Sequence, residues 1–274
     1  MADQNVTTDL TGYVGDFQRE CDSAIANLIQ VCSAATQAKF YRQQTESFRF
    51  GIARIILEHP EELSKIAPEK AARTCFLSVI GKFVTFLDRL IASRNLAAKA
   101  MTVDREITTA EELNRFVNEC LDREYETVAK NTKLSNPSKV DSFTKASSKV
   151  RDAAKAYFQL RRALEHHDDV PEADLIISTQ RVALVIDDKE VTALPCPLNK
   201  GQLLEMKVAD QTQTLPSGKK IVLSPQNAHD LVFTMRFLFA PEVFRSHVEM
   251  PDAGLTPPFS PVPDRSTGSP SPDR

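Results

Sequence analysis

The sequence predicts a mainly α protein, an antiparallel helical bundle over residues 10–169 followed by a small α+β unit with a β-hairpin at 171–242 and a disordered tail at 251–274. Three observations carry this reading. Apolar residues recur in steps of three and four through the first 167 positions. The pattern turns strand-like after Val170-Pro171. The last 24 residues hold seven prolines and little hydrophobic bulk, a composition that cannot offset the entropy of ordering a chain.

The first helix runs from Tyr13 to about Ala35, with Phe17, Cys21, Ala24, Ile25, Leu28, Val31, Cys32 and Ala35 on one stripe. A second pattern through Phe48, Ile52, Ile55 and Ile56 stops at His59-Pro60, because proline restricts the residue before it. The third and most apolar helix carries Phe76, Val79, Ile80, Phe83, Leu87, Leu90 and Ile91, with Pro68 near its start, and is expected at the centre. Thr108 or Thr109 caps a fourth, with Glu111 and Glu112 favourably placed in its first turn. After a polar break at 131–137, a fifth is expected over about 138–167, its core stripe running through Phe143, Ser147, Val150, Ala154, Tyr157 and Leu164.

Helices joined this way need partners for their stripes, so an antiparallel bundle is the economical arrangement. Beyond it, Leu175–Ile177, Val182–Ile186 and Val191–Leu194 read as strands, with a hairpin turn at Asp187–Glu190. Further strands are expected at Leu203–Val208 and Lys220–Leu223, flanking the turn Pro216-Ser217-Gly218. Ser224 caps a last helix with Pro225 at its first position and Leu231, Val232, Met235, Leu238 and Phe239 on its buried side.

Composition narrows the function classes. The 274 residues are 42% hydrophobic, yet no run approaches the length of a membrane span, and Met1–Asn5 does not resemble a secretory leader, so a cytoplasmic protein is expected. Five scattered cysteines (Cys21, Cys32, Cys75, Cys120 and Cys196) form no C-x-x-C pair and are expected to be reduced, mostly core residues. Eight glycines form neither a phosphate-cradling loop nor a nucleophile elbow. No cofactor or metal is therefore expected. Adjacent His166, His167, Asp168 and Asp169 point in different directions, and no distant Cys or His pair completes a ligand set.

One charged feature stands out. Between Lys130 and Arg162 nine basic residues face two acids, a net of +7 in a chain whose total is −3. Arg151, Lys155, Arg162 and His166, spaced by four, seven and four, share one helix face. Such a stripe suits a phosphate backbone. It equally suits a solvated face and a helix end whose dipole favours cations. Arg161 falls on the core side with Tyr157 and needs water, a carboxylate or a phosphate at the bundle end.

Arg161-Arg162-Ala163-Leu164-Glu165-His166 resembles the R-x4-6-H signature of the HEPN superfamily, helical domains found in prokaryotic toxins and RNA-targeting defence nucleases. The resemblance implies metal-independent RNA cleavage at a two-fold dimer interface, with His166 assisting proton transfer and Arg161 contacting the scissile phosphate. Arg151, Lys155 and Arg162 are the candidate RNA-binding residues beside them. Arg162 stands where the family usually has Asn, Asp or His. Arg162 to His167 and Arg54 to His59 repeat the spacing. Residues five apart lie roughly 140° around and about 7.5 Å along a helix, so a homodimer is expected to bring the two groups together. A different class remains open, a non-catalytic interaction or assembly protein whose hairpin near 181–194 pairs with a partner's sheet edge.

Overall fold

A computed structural model describes residues 11–41, 60–99, 101–186, 189–191 and 204–248. The second expected helix, Arg54, His59, the turn residues Asp187 and Asp188, the strand residues 192–194, Cys196 and the proline-rich tail lie outside these residues. Within them the protein is mainly α with a small antiparallel sheet.

Helix α1 (Thr11–Tyr41) buries Phe17, Cys21 and Leu28 along the expected stripe, whereas Val31 sits at its margin and is exposed. Helix α2 (Pro60–Ala97) starts eight residues before Pro68, which lies inside it. Its apolar stripe is buried throughout, as befits a central helix. Thr109 caps α3 (Ala110–Lys130) in a reciprocal box: its hydroxyl accepts the Glu112 N–H at 3.1 Å, and Glu112 Oε2 accepts the Thr109 N–H at 3.2 Å.

The long fifth helix is divided. Helix α4 (Asn136–Asp141) is separated from α5 (Ser148–His166) by a turn in which serines take over the backbone's hydrogen bonds. The Ser142 hydroxyl donates to the Lys139 carbonyl at 2.7 Å, and Ser147 caps α5 by accepting the Val150 N–H at 3.3 Å. Ser147 is thus a cap rather than a core residue. Phe143 and Ala146 within the turn are nonetheless buried, which is why the apolar periodicity looks unbroken.

Strand β1 (Leu175–Ile186) is continuous where two separate runs were expected. It pairs with short β2 (Lys189–Val191), so Lys189 and Glu190 are strand rather than turn residues. On its other side lies β3 (Leu204–Leu215), giving the order β2-β1-β3, all antiparallel. The turn at Pro216-Ser217-Gly218 forms as expected, with Gly218 at φ 72°, where a side chain would be strained. Residues 220–223 are not a sheet strand. Ile221 and Leu223 point inward and Val222 outward, a strand-like alternation, but the Ile221 N–H bonds to the Asp169 carbonyl at 2.7 Å at the bundle end.

Ser224 and Pro225 open α6 (Pro225–Thr234) as expected. The helix then passes through a π-helical turn, Met235–Phe239, into α7 (Ala240–Val248), so it does not end near Pro241. The Ala240 N–H reaches back five residues to Met235, a wider register immediately ahead of the proline that has no N–H to give. Leu231, Val232, Met235, Phe239 and Val243 enter the same core as α1, α2 and α5. Phe83 is its aromatic centre, with ring centroids 5.6 Å from Phe17, 6.3 Å from Phe158 and 6.1 Å from Phe239.

Candidate functional site: the C-terminal end of helix α5

Val150, Ala154, Tyr157, Phe158, Leu160, Ala163 and Leu164 bury one side of α5 and so orient its polar side outward. The Tyr157 hydroxyl donates to the Ser178 carbonyl of β1 at 2.9 Å, which ties the helix to the sheet. Burial pushes the phenol well above its ordinary value, so it serves as a neutral hydrogen-bond donor.

Beyond His166 the chain turns sharply. Asp168 and Asp169 adopt left-handed φ values of 51° and 66°, while the His167 and Asp169 N–H groups both bond to the Ala163 carbonyl at 3.2 Å. Arg73 of α2 holds this exit. Its guanidinium lies 2.7 Å from Asp169 Oδ1 and 3.0 Å from Oδ2, and it also donates to the Leu164 carbonyl. Nothing in the local sequence signals Arg73, which is 96 positions from Asp169.

The five candidate residues fall into three clusters, each gathered on one carboxylate oxygen. Arg151 (3.9 Å) and Lys155 (2.6 Å) meet Asp141 Oδ1 of α4. Arg161 Nε donates to Glu165 Oε2 at 2.9 Å, and His166 Nε2 lies 3.8 Å from the same atom. Arg162 reaches Glu172 Oε1 at 3.8 Å, where His167 Nε2 also arrives at 3.5 Å. Arg162 Nε also points at His167 Nε2, 3.2 Å away. In that contact Arg162 donates and His167 Nε2 accepts. The structure thus brings Arg161 and His166 together within one chain, and leaves Arg151 and Lys155 as a separate pair nearer the start of α5. Arg161 is partly exposed and ion-paired rather than buried in the stripe; His166 is 70% exposed.

Sequence reasoning passed over Glu165, although its i,i+4 spacing from Arg161 is a legible ion-pair signal. Glu172 and Asp141 carry no such signal, being set opposite their partners by the exit turn and by the α4–α5 break. Chemically, the α5 end offers a guanidinium and an exposed imidazole that each lie within 4 Å of one carboxylate oxygen, groups able to hold an oxyanion and to move a proton.

Elsewhere, a groove of about 420 Å³ between α1 and α2 is lined by Tyr13, Arg19, Lys82 and Arg89, among others, and by none of the five. Its cations are engaged: Lys82 with Glu20 at 2.9 Å, and Arg89 over the Tyr13 ring at 5.0 Å. Burial raises the Cys21 thiol to about 12 and the Cys75 thiol to about 11, so both are inert core residues at neutral pH. Among the described residues no His, Cys, Asp or Glu group is arranged to hold a metal ion, and no helix is long and apolar enough to cross a membrane. Comparison of the chain with protein-family models, with curated proteins and with solved structures finds no match in any of the three.

Proposed function

We propose that the C-terminal end of α5 recognises an RNA phosphodiester and cleaves it without a metal, in the cytoplasm. The supporting observation is the convergence of Arg161 Nε and the exposed His166 ring on a single oxygen of Glu165. An incoming phosphate presents oxygens of the same charge and hydrogen-bonding character, so it can take the carboxylate's place between them. The 2′-hydroxyl then attacks phosphorus, the bond to the 5′-oxygen breaks, and a 2′,3′-cyclic phosphate and a free 5′-hydroxyl result. His166 exchanges the proton in this step, and Arg161 stabilises charge on the phosphoryl oxygens. Arg162 extends the cationic surface at the same end. Arg151 and Lys155 meet a neighbouring phosphate by exchanging Asp141 for it. The resemblance to HEPN domains implies the same chemistry, but at a site shared across a two-fold axis, whereas here Arg161 and His166 meet one Glu165 oxygen within a single chain.

Purified protein incubated with mixed-sequence RNA in excess EDTA tests this directly. The expected result is fragments ending in 2′,3′-cyclic phosphate. The rate should fall about 100-fold or more in His166→Ala and in Arg161→Ala, and stay unchanged in Arg54→Ala and His59→Ala. Binding should weaken steeply as salt rises. Absence of cleavage by the native protein, or equal losses in both pairs of variants, overturns the reading.

A further inference from the structure

Among the described residues the sheet ends in a long edge on β3. On β1, the Ser178 carbonyl accepts from Tyr157 and the Gln180 N–H donates to Thr234 Oγ1 at 2.7 Å, so the backbone groups of even-numbered residues face the bundle. The odd-numbered ones face β3, where Ile177 pairs with Gln213 and Thr179 with Gln211. The backbone groups of Met206, Val208, Asp210, Thr212 and Thr214 therefore point away from β1, and among the described residues no strand lies beyond them. Such an edge is a template for another strand. On one face of this hairpin Met206 is 61%, Val208 54% and Val182 43% exposed, with Val182 directly opposite Val208.

Charge identifies the occupant. Glu205 and Lys207 flank Met206 on the opposite face and pair with each other at 2.7 Å. In an antiparallel pairing across this edge, outward-facing residues must oppose outward-facing ones. Of the two-fold registers this allows along Leu204–Leu215, only the one centred on Met206 opposes unlike charges, setting each Glu205 against Lys207 of the other chain. Centring on Lys207 or Glu205 opposes like charges, and centring on Val208 sets Met206 against Asp210. The segment is complementary to itself, and we infer that β3 joins β3 of a second copy of this chain, antiparallel about Met206, to make one continuous six-stranded sheet. This pairing does not depend on the nuclease reading. It places the two-fold axis at the far end of β3 from Leu215, the end that adjoins the exit of α5, so each copy keeps its Arg161–Glu165–His166 cluster to itself.

Sedimentation equilibrium of the full chain tests the pairing. The native protein should associate reversibly to twice its 30.5 kDa mass. Lys207→Glu turns two attractive cross-strand pairs into two repulsive ones and should weaken the dimer about tenfold or more. The double variant Glu205→Lys/Lys207→Glu should restore it, while Arg161→Ala and His166→Ala leave it intact. All these residues are on the surface, and circular dichroism should show each variant folded. A monomer at every concentration up to about 100 μM, a dimer indifferent to Lys207→Glu, or failure of the double variant to restore association would each overturn the inference.

Discussion

Lys139 illustrates how a residue's meaning changes between sequence and structure. It is one of the nine cations that make residues 130–162 look like an RNA-binding stripe, yet it is almost fully buried, 2.6 Å from the equally buried Asp88 of α2. Burial raises the Asp88 carboxyl above its ordinary value even though Lys139 opposes the shift, so desolvation of the carboxylate outweighs the attraction of its partner. The folded state thus holds the Asp88 proton more tightly than the unfolded chain. Its contribution to stability is full below the ordinary carboxylate value of 3.8 and is lost as pH rises through the raised one. Lys139→Met alone leaves Asp88 buried and unpaired and should cost about 3–5 kcal/mol. The double variant Asp88→Leu/Lys139→Met should lie close to the native protein. Urea titration of the native protein and these two variants checks this; equal losses in the single and the double variant would contradict it. Other stripe residues are also engaged: Lys130 with Glu126, and Lys149 with Asp210 of β3. The i,i+4 partners were legible in the sequence, whereas Asp88 and Asp210 were not, because only folding brings them near.

At the scale of elements, caps and breaks obey local chemistry closely. Thr109, Ser224 and Pro225 act as their sequence positions imply. The α4–α5 break was hidden because Phe143 stays buried in a turn, and apolar periodicity records burial rather than backbone conformation. The long β1 was hidden for the converse reason: its middle, Ser178-Thr179-Gln180-Arg181, is polar. That stretch is held by the Tyr157 and Thr234 hydroxyls on one side and β3 on the other, so it needs no apolar run. Tyr157→Phe removes the donor to the Ser178 carbonyl while preserving the ring's packing, and should destabilise the protein by about 1–3 kcal/mol. Amide exchange along β1 near Gln180 should rise with it. Unchanged protection there would mean that Tyr157 does not hold the strand.

For the molecule as a whole, the later segment supplies part of the bundle's own core. Phe239 of the π-helical turn packs 4.9 Å from Tyr157 of α5, and Arg236 pairs with Asp22 of α1 at 2.8 Å. Helix α7 clamps the α4–α5 junction, with Ser246 Oγ accepting the Ala146 N–H at 3.0 Å. Beside it, burial and then the Arg94 charge hold the His247 imidazole below its ordinary value of 6.5. The unfolded chain therefore binds this proton more readily. The stability His247 contributes is full above pH 6.5 and declines as pH falls through the lowered value. His247→Gln should flatten the acid side of the stability profile below that pH, measured by urea unfolding at stepped pH. A profile as steep as the native one would show that another group titrates.

The sequence by itself determined the mainly α class, the hairpin, the caps and the apolar stripes, because each depends on residues within a few positions of one another. It also marked Arg161 and His166 as a pair worth testing. Only the tertiary structure decided which charges meet: Arg73 with Asp169, Lys139 with Asp88, Arg151 and Lys155 with Asp141, and Arg162 and His167 with Glu172. The same holds for the sheet edge on β3, which exists only once β1 has chosen its neighbours. Periodicity along a chain reports which face is buried, but the partner of a charge and the free side of a strand depend on how elements pack.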